Sequence, residues 1–448
     1  MKSWDKELQM KVAILGGGLT GLTIGYFLDN AGIEFEVLEK ESECGGLMRT
    51  LQKEGFTFDY GGSHIIFSKN KEILDFMLKL LGSNKIRNRR NTKILYKRKC
   101  YVKYPFENGL ADLPIEENFE CLYHFIKNLV KREKGELKKP SNLKEWCYHT
   151  FGKGIAEKYL IPYNEKIWKY PTEKISLEWV ERVPNPPIED IIKSSLGIKT
   201  EGYTHQLYFY YPKVGGIQAL IRALEEKIKN HITVNFGVKK VKRNGKWLIS
   251  NGVEERAYDK VVSTIPVQKL VNAVNAPQKV REAASRLKYN SLITVILGID
   301  REKINNLSWL YIPDRHVLTH RVCFPSNYSP YVAPKRKSSV LAEITCAVGD
   351  KIWRMKDEEI IDRVINELHK LKIIDKAEVC FSEARKTEYA YVINDLNYKR
   401  NISVVRDYFA EIGIDLVGRF SEFKYLNMDN CIESATNYVK KEFANELI

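Results

Sequence analysis

Long apolar runs, closely paired cysteines and abundant glycine or proline are all missing from this 448-residue chain. No apolar stretch approaches the roughly 18 residues that cross a bilayer, and residues 1–10 are polar, so neither a membrane span nor a secretory signal is expected. The 27 glycines and 15 prolines are too few for a collagen-like or linker-like chain. The eight cysteines form no C-x-x-C pair and no Cys/His cluster, so we expect reduced thiols in a cytoplasmic protein and no metal site.

Positive charge is in excess, because 72 Lys and Arg against 57 Asp and Glu give a net +15. This balance suits an anionic partner, which is nucleic acid, a membrane surface or a phosphorylated small molecule. The densest run, Lys85 to Lys103, carries nine basic residues and no acidic one. Since no nucleic-acid motif accompanies it, we interpret the run as a solvated face or turn and expect no nucleic-acid partner. The length predicts two or three domains.

The first forty residues have the pattern of a βαβ unit. Residues 11–15 form a short apolar run typical of a buried strand, residues 22–30 are predicted to be helical, and residues 34–39 alternate as a second strand.

Three glycines with G-x-G-x-x-G spacing, Gly16, Gly18 and Gly21, join the first strand to the helix. The first permits a tight turn, the second lets the backbone approach a pyrophosphate, and the third lets the helix pack on the strand. The helix N-terminus then supplies free N–H groups to the phosphates. Glu39, at the end of the second strand, is placed to accept hydrogen bonds from ribose hydroxyls. The pattern predicts a dinucleotide site rather than a merely structural turn.

Beyond this unit the periodicity is weaker. The helical patterns are residues 71–81, 119–134, 142–168 and 357–371, and the strand patterns are residues 238–264, 291–300, 308–312 and 338–346. The chain is predicted to end in a helix over 430–447, with Asn430 and Glu433 at capping-box spacing.

Two more glycine motifs follow the βαβ unit, Cys44 to Thr50 and Gly55 to His64. In this position the pair resembles the FAD-binding signature shared by amine oxidases, protoporphyrinogen oxidase and UDP-galactopyranose mutase, which shifts the expected cofactor from NAD to FAD. Blocks farther along resemble the mutase, particularly its eukaryotic type, and follow its order through most of the chain. These blocks are residues 104–108, 151–156, 162–168, 181–183, 309–311 and 326–331.

The resemblance implies an α/β fold with a Rossmann-like FAD-binding domain, an inserted helical domain and an antiparallel β-sheet substrate domain. It assigns residues 1–68, 205–265 and 412–448 to a discontinuous FAD-binding domain. It assigns residues 69–204 to a mainly helical cap and residues 266–411 to the substrate domain.

The activity that the resemblance implies is an isomerisation. A UDP-sugar for cell-surface glycans would interconvert between its pyranose and furanose forms with no net redox change. In that family, N5 of reduced FAD attacks the anomeric carbon and displaces UDP. The partner is therefore a small molecule, and the oligomeric state is left open.

The resemblance also implies roles for particular residues. Gly62, His64 and Arg321 match catalytic positions, and Arg321 is expected to grip the diphosphate. The expected substrate-binding residues are Tyr104, Trp146, Asn185, Tyr311, Arg321, Tyr328 and Tyr391. The expected cofactor-binding residues are Gly16, Gly18, Gly21, Glu39, Gly45, Gly46, Gly61, Gly62, Arg419, Asp429 and Asn430.

Two positions depart from the mutase pattern. Ile161 stands where an arginine is expected, which removes a diphosphate contact worth roughly 1.5 to 3 kcal/mol. Glu107 stands where a neutral amide meets uracil. A cation from the run Lys85 to Lys103 is a candidate replacement for the missing arginine. Two alternatives remain open, namely an FAD-dependent oxidoreductase of the amine oxidase or protoporphyrinogen oxidase type and a basic binding protein with a vestigial nucleotide fold.

Overall fold

The structure, a computed structural model, describes residues 10–182, 186–201 and 207–444. The strands of this part, in chain order, are β1 (Lys11–Leu15), β2 (Glu34–Leu38), β3 (Thr50–Lys53), β4 (Phe56–Asp59), β5 (Ile86–Arg89), β6 (Thr92–Tyr96), β7 (Cys100–Lys103), β8 (Tyr208–Tyr211), β9 (Ile232–Thr233), β10 (Lys240–Asn244), β11 (Lys246–Ser250), β12 (Glu255–Tyr258), β13 (Lys260–Ser263), β14 (Lys288–Ile299), β15 (Trp309–Tyr311), β16 (Arg321–Cys323), β17 (Ser338–Cys346), β18 (Val379–Ile393) and β19 (Ile414–Leu416). The helices are α1 (Leu19–Asn30), α2 (Lys71–Leu81), α3 (Ile115–Glu133), α4 (Leu143–Ile155), α5 (Ile161–Trp168), α6 (Ile188–Ser195), α7 (Gln218–Ile228), α8 (Val267–Ala273), α9 (Gln278–Arg286), α10 (Lys351–Arg354), α11 (Asp357–Lys370), α12 (Tyr398–Ile412) and α13 (Met428–Glu442).

The nucleotide-binding part is a parallel sheet in the order β19-β13-β1-β2-β9. Strand β1 lies at its centre with four of its five residues buried, as its apolar run predicts. Helix α1 packs against α7 and α13. The predicted βαβ unit is confirmed, although α1 begins three residues earlier than expected, because Gly18 is extended and serves as its N-cap.

The last helix begins at Met428, and its N-cap is Asn427 rather than Asn430. The capping box joins Asn427 to Asn430, whose side chain accepts a hydrogen bond from the Asn427 N–H. The expected pairing of Asn430 with Glu433 was therefore wrong by one turn. Asp429 lies in the first turn and accepts a hydrogen bond from the Ser68 hydroxyl at 2.9 Å.

The long helix predicted over residues 142–168 is interrupted. A π-helical turn, Ala156–Leu160, separates α4 from α5, and Gly152 within α4 has a φ of +72°. A Cβ at Gly152 would lie 2.4 Å from the carbonyl oxygen of His124 on α3. A glycine is therefore needed where α4 crosses α3.

A seven-stranded mixed sheet, in the order β18-β14-β17-β16-β15-β6-β7, lies beside the nucleotide-binding part. Its pairs are antiparallel except for β15 with β6. Strands β6 and β7 come from the basic run Lys85 to Lys103, within the range expected to be a helical cap. Part of the run thus belongs to the seven-stranded sheet, although the run was predicted to be a solvated face or turn.

No helix in the described ranges is long and apolar enough to cross a membrane. All eight cysteines are described and free, and only Cys380 among them is exposed.

Candidate functional site

The G-x-G-x-x-G loop leaves space and donors for a diphosphate at the carboxyl end of β1. A Cβ at Gly21 would lie 2.0 Å from the Gly16 carbonyl oxygen. Only a glycine at position 21 therefore allows helix α1 to pack this closely against the turn at Gly16. A Cβ at Gly18 would meet no atom within 4 Å. Helix α1 has no side-chain cap and no acidic residue in its first turn. Its N-terminal N–H groups therefore face an open cradle that suits an anion.

The second glycine motif is attached directly to the first. The Gly45 N–H donates to the Gly17 carbonyl oxygen at 2.9 Å, and Gly18 and Gly45 form a parallel bridge. At the end of β2, Glu39 accepts the Gly17 N–H at 2.7 Å. This carboxylate is 7% exposed. The expected cofactor residues Gly16, Gly18, Gly21, Glu39, Gly45 and Gly46 are thus brought together around one cradle.

Arg419, which was expected to contact the cofactor, is held by backbone carbonyl groups and an aromatic ring. Its two terminal nitrogens donate to the carbonyl oxygens of Leu426 and Ala390, each at 2.6 Å, and its guanidinium stacks 4.3 Å from the Tyr425 ring centroid. Its Nε is buried without a hydrogen-bond partner among the described residues. An unpartnered buried donor of this kind fits a bound group that accepts a hydrogen bond.

The loop Gly61 to His64 lies between the turn at Leu47 and the seven-stranded sheet. A Cβ at Gly61 would lie 2.1 Å from the Leu47 carbonyl oxygen, and Gly62 has a φ of +103°. The His64 Nδ1 lies 2.7 Å from the Gly62 carbonyl oxygen, so Nδ1 carries the proton and donates to it. Burial lowers the pKa of His64 to about 4, against the opposing effect of that hydrogen bond. The ring is therefore neutral near pH 7, and its Nε2 is a hydrogen-bond acceptor.

Glu343 fixes both this loop and Arg321. The carboxylate is fully buried on β17 and accepts the Ser63 N–H at 2.7 Å. Arg321, opposite it on β16, donates from Nε and Nη2 at 2.7 Å each. This bidentate pair balances the positive charge of Arg321, the residue that the resemblance expects to bind a diphosphate. The side chain of Arg321 remains 20% exposed, and its Nη1 makes no hydrogen bond to a described residue.

Tyrosines form a continuous surface beside Arg321. The ring of Tyr311 lies 5.0 Å from that of Tyr104 and 5.2 Å from that of Tyr163, and Tyr163 stacks on Tyr159 at 5.3 Å. Tyr391 stacks on Tyr425 at 6.1 Å, and Trp168 packs against both rings. Four of the expected substrate residues lie at the margin of this one apolar cluster, namely Tyr104, Trp146, Tyr311 and Tyr391.

Other expected substrate residues are placed differently. Tyr328 is 2% exposed, and its hydroxyl donates to the Ser308 carbonyl oxygen at 2.9 Å, so it belongs to the core beneath Ser63. Asn185 lies outside the described residues. Ile161 is buried in the apolar cluster, so this position contributes packing and no positive charge.

Arg90, from the basic run, reaches the tyrosine surface. Its guanidinium lies 5.6 Å from the Tyr104 ring centroid, and its charge acts on Tyr311. The backbone places it there, because Arg90 directly follows β5 and lies two residues before β6, which is the strand next to the edge of the seven-stranded sheet. Charge alone could not distinguish Arg90 from its eight basic neighbours in the sequence.

Glu107 is buried deeply in the same region. It is 1% exposed, and its Oε1 has no hydrogen-bond partner among the described residues. Burial raises the pKa of this carboxyl to about 8. Near neutral pH this carboxyl is largely protonated, so that its hydroxyl can donate a hydrogen bond and its carbonyl oxygen can accept one. A side-chain amide likewise offers both a donor and an acceptor.

Two of the residues in this geometry were missed in the sequence. Glu343 is the single charged residue of β17, and a charged residue within a strand pattern was a signal available in the sequence. Tyr163 lies within a block that resembles the mutase but was given no role.

Comparisons with known proteins identify two segments of the chain that match family models. A family model for the flavin-containing amine oxidoreductases matches residues 189–390, and one for an NAD(P)-binding Rossmann-like domain matches residues 14–80. Coproporphyrinogen III oxidase of Staphylococcus aureus is 24% identical over 326 residues, which are 66% of this chain and 68% of the relative. A shorter match is to 4,4'-diapophytoene desaturase of S. aureus, 44% identical over 52 residues, or 12% of this chain and 10% of the relative.

Among solved structures, a reduced UDP-galactopyranose mutase superimposes with a TM-score of 0.89. It is 24% identical, and the alignment covers 98% of this chain and 94% of that one. The chain therefore has the fold of that mutase structure, and it contains a Rossmann-like nucleotide-binding domain, as the sequence predicts. The family models and the fold support FAD as the cofactor, and the open cradle at Gly18 and the unpartnered Arg419 Nε fit it.

Proposed function

We propose that this protein is a flavin-dependent mutase that interconverts the pyranose and furanose forms of a UDP-sugar. The observation that carries the proposal is the surface of Tyr104, Tyr311 and Tyr163, with Arg321 and Arg90 at its margin. Hydroxyl donors and planar cations on a mostly apolar wall are what a nucleoside diphosphate requires.

The diphosphate is assigned to two arginines. Arg321 is held in place by Glu343 and keeps Nη1 for a ligand, whereas Arg90 brings a second positive charge to the side of the surface formed by Tyr104. Arg90 thus takes the place of the arginine that Ile161 replaces.

The remaining groups position the sugar and exclude water. The tyrosine rings and Trp168 surround the site with apolar surface, which strengthens hydrogen bonds within it. The loop Gly61 to His64 presents a neutral imidazole, and Glu343 holds the loop through the Ser63 N–H. When bound in its reduced state, FAD supplies the nucleophile that displaces UDP from the anomeric carbon.

An oxidoreductase is the second candidate, and one observation favours it. The charge of Arg321 is already balanced by Glu343 in a bidentate pair, which leaves the site less cationic than a diphosphate clamp with two unbalanced arginines. The similarity to coproporphyrinogen III oxidase and the amine oxidoreductase model point the same way.

Two assays on the purified protein with bound FAD separate these candidates. The mutase proposal expects UDP to raise the unfolding temperature more than AMP does. It also expects conversion of UDP-galactopyranose into a furanose only after dithionite reduction. Absence of UDP binding, or equal turnover by oxidised protein, would refute it. Oxygen consumption with a porphyrinogen or an amine, without UDP binding, would support the oxidoreductase.

Substitution of Arg90 tests the assignment of the second cation. Arg90→Ala should weaken UDP binding about 10- to 100-fold, since a charge-assisted contact contributes roughly 1.5 to 3 kcal/mol. Arg89→Ala is the matched control, because Arg89 is exposed in the same run and pairs with Glu201. Equal affinity in the Arg90→Ala variant, measured by flavin fluorescence, would move the diphosphate elsewhere.

A further inference from the structure

The hairpin of β15 and β16 carries two of the residues assigned to the substrate site. Tyr311 ends β15 and Arg321 begins β16, and the two residues lie directly opposite each other in this strand pair. Beyond them the hairpin continues with a hydrogen bond from the Ile312 N–H to the His320 carbonyl oxygen at 2.9 Å. The positions of Tyr311 and Arg321 therefore depend on how the turn of the hairpin, residues 312–319, is held.

Lys166, on α5, is hydrogen-bonded to this turn through its ammonium group. The residue is 5% exposed, and its Nζ donates to the carbonyl oxygens of Ile312 at 2.6 Å, Asp314 at 2.8 Å and Thr319 at 2.8 Å. A lysine ammonium has three donors, so all of them are used within the protein. Because Ile312 and Thr319 lie on opposite arms of the hairpin, the ammonium ties the two arms together.

Glu367, on α11, holds the same turn through N–H groups. Its carboxylate accepts the Leu318 N–H at 2.6 Å and the Thr319 N–H at 3.1 Å. Thr319 is therefore bound at its N–H by an anion and at its carbonyl oxygen by a cation. Hydrogen bonds with an ionised partner are stronger than those between neutral groups. We call Lys166 and Glu367 together the hairpin clamp.

Helix α5 gives the clamp a fixed base. The Lys166 carbonyl oxygen accepts the Thr345 hydroxyl at 3.1 Å, and Asn290 donates to two further carbonyl oxygens of α5 at 2.8 and 2.7 Å. These partners lie on β17 and β14, which are inner strands of the seven-stranded sheet. Tyr163, one turn before Lys166, contacts the ring of Tyr311 at 5.2 Å. Helix α5 therefore acts on the hairpin through an aromatic ring and through an ammonium group.

The charged form of Lys166 is the one that this geometry holds, since three carbonyl oxygens require three donors and a neutral amine has only two. Burial lowers the pKa of Lys166 to about 7, and the positive charge of Lys169 acts in the same direction. The negative charges of Glu367 and Asp314 oppose this effect. Lys166 is therefore mostly charged at pH 6, which is the pH chosen for the experiments below.

We infer that the hairpin clamp positions Tyr311 and Arg321 toward the diphosphate of a bound nucleotide. The inference rests on the proposed function, because it takes the ligand of the hairpin to be a nucleoside diphosphate. Lys166 and Glu367 are thus positioning residues, which act through the backbone of the turn. Loss of the clamp should weaken binding of the diphosphate and leave binding of the base and ribose unchanged.

Lys166→Met tests the ammonium group, because methionine has a similar length and no charge. In the protein with bound FAD, the affinity for UDP should fall roughly 10-fold, the lower end of the loss of a charge-assisted contact. The affinity for uridine, measured by the same calorimetric titration, should not change. A general loss of folding would instead weaken both ligands in the same proportion. Arg98→Ala is the matched control, because Arg98 is exposed and pairs with Asp314 of the same turn at 2.6 Å, and it should bind UDP as the wild type does.

Hydrogen exchange tests the clamp without any ligand. Amides in residues 312–321 should exchange at least about 10-fold faster in Lys166→Met than in the wild type, whereas those of β14 should not change. Glu367→Gln keeps the shape of the side chain and loses its charge, so it should show a smaller increase. It also decides the matter if Lys166→Met does not fold.

The outcomes separate the clamp from the proposed function. Unchanged exchange of the hairpin in the folded variants, or equal losses of UDP and uridine affinity, would overturn the inference. A wild type that binds neither UDP nor uridine would refute the proposed function and with it the role toward a diphosphate. Faster exchange in the variants would in that case still show that the clamp positions Tyr311 and Arg321.

Discussion

Replacing Glu107 by glutamine should remove a loss of stability that depends on pH. Burial raises the pKa of this carboxyl from 4.5 to about 8. The folded protein therefore retains a proton between these pH values that the unfolded chain has released. The free energy of unfolding falls as pH rises through this window and levels off above about pH 8.

The magnitude follows from the pKa difference. One pKa unit corresponds to about 1.4 kcal/mol, so ionisation of Glu107 costs the folded state about 5 kcal/mol in full and about 3 kcal/mol at pH 7. Glutamine has nearly the same shape and never ionises. The Glu107→Gln variant should therefore equal the wild type near pH 4.5 and exceed it by these amounts at higher pH.

Urea unfolding followed by tryptophan fluorescence at about pH 5, 7 and 8.5 measures the difference. Other titrating groups cancel, because they are common to both proteins. Glu302→Gln, at an exposed position, should give no pH-dependent difference. A stability difference between wild type and Glu107→Gln that stays constant across the three pH values would refute the reasoning.

Three other substitutions test the cofactor cradle and the supports of the site. Gly18→Val should fold but remain colourless, because its side chain meets no protein atom and enters the space assigned to the diphosphate; absorbance spectra after purification check this. Gly61→Ala should lose about 3 kcal/mol of stability in urea, because its Cβ would lie 2.1 Å from the Leu47 oxygen, whereas Gly237→Ala should be tolerated. Glu343→Gln should also cost about 3 kcal/mol in urea unfolding, since it leaves the buried guanidinium of Arg321 without its counter-charge.

Local signals in the sequence were sufficient for the nucleotide-binding part. The strand, glycine loop and helix of the βαβ unit are adjacent in sequence, so periodicity and spacing identify them without knowledge of distant contacts. The glycines and Glu39 follow from the same local pattern. The N-cap of α13 was missed because the glutamate at position 433 gave the wrong register.

The seven-stranded sheet was harder to predict, because its strands pair with partners that are far away in the sequence. Strand β6 pairs with β15, more than 200 residues away, and nothing near Thr92 indicates that partner. Whether Arg321 faces a ligand or Glu343 depends on the register of β16 and β17, which the sequence leaves undetermined. Arg90 likewise gains its position only when β5 and β6, on either side of it, pair with their distant partners.

The basic run has a consequence for solubility. Strand β7 is the last strand of the seven-stranded sheet. The end of its outer edge is covered, because the Lys103 N–H donates to the Asp112 carboxylate at 2.8 Å and Gly109 packs on the Lys103 backbone. The turn that leads into it contains Lys97, Arg98 and Lys99, and the strand ends at Lys103. A second strand approaching this edge would have to bury or crowd these cations. The positive charge that first suggested an anionic partner therefore also protects the part of this edge that Gly109 and Asp112 leave uncovered against aggregation by strand addition.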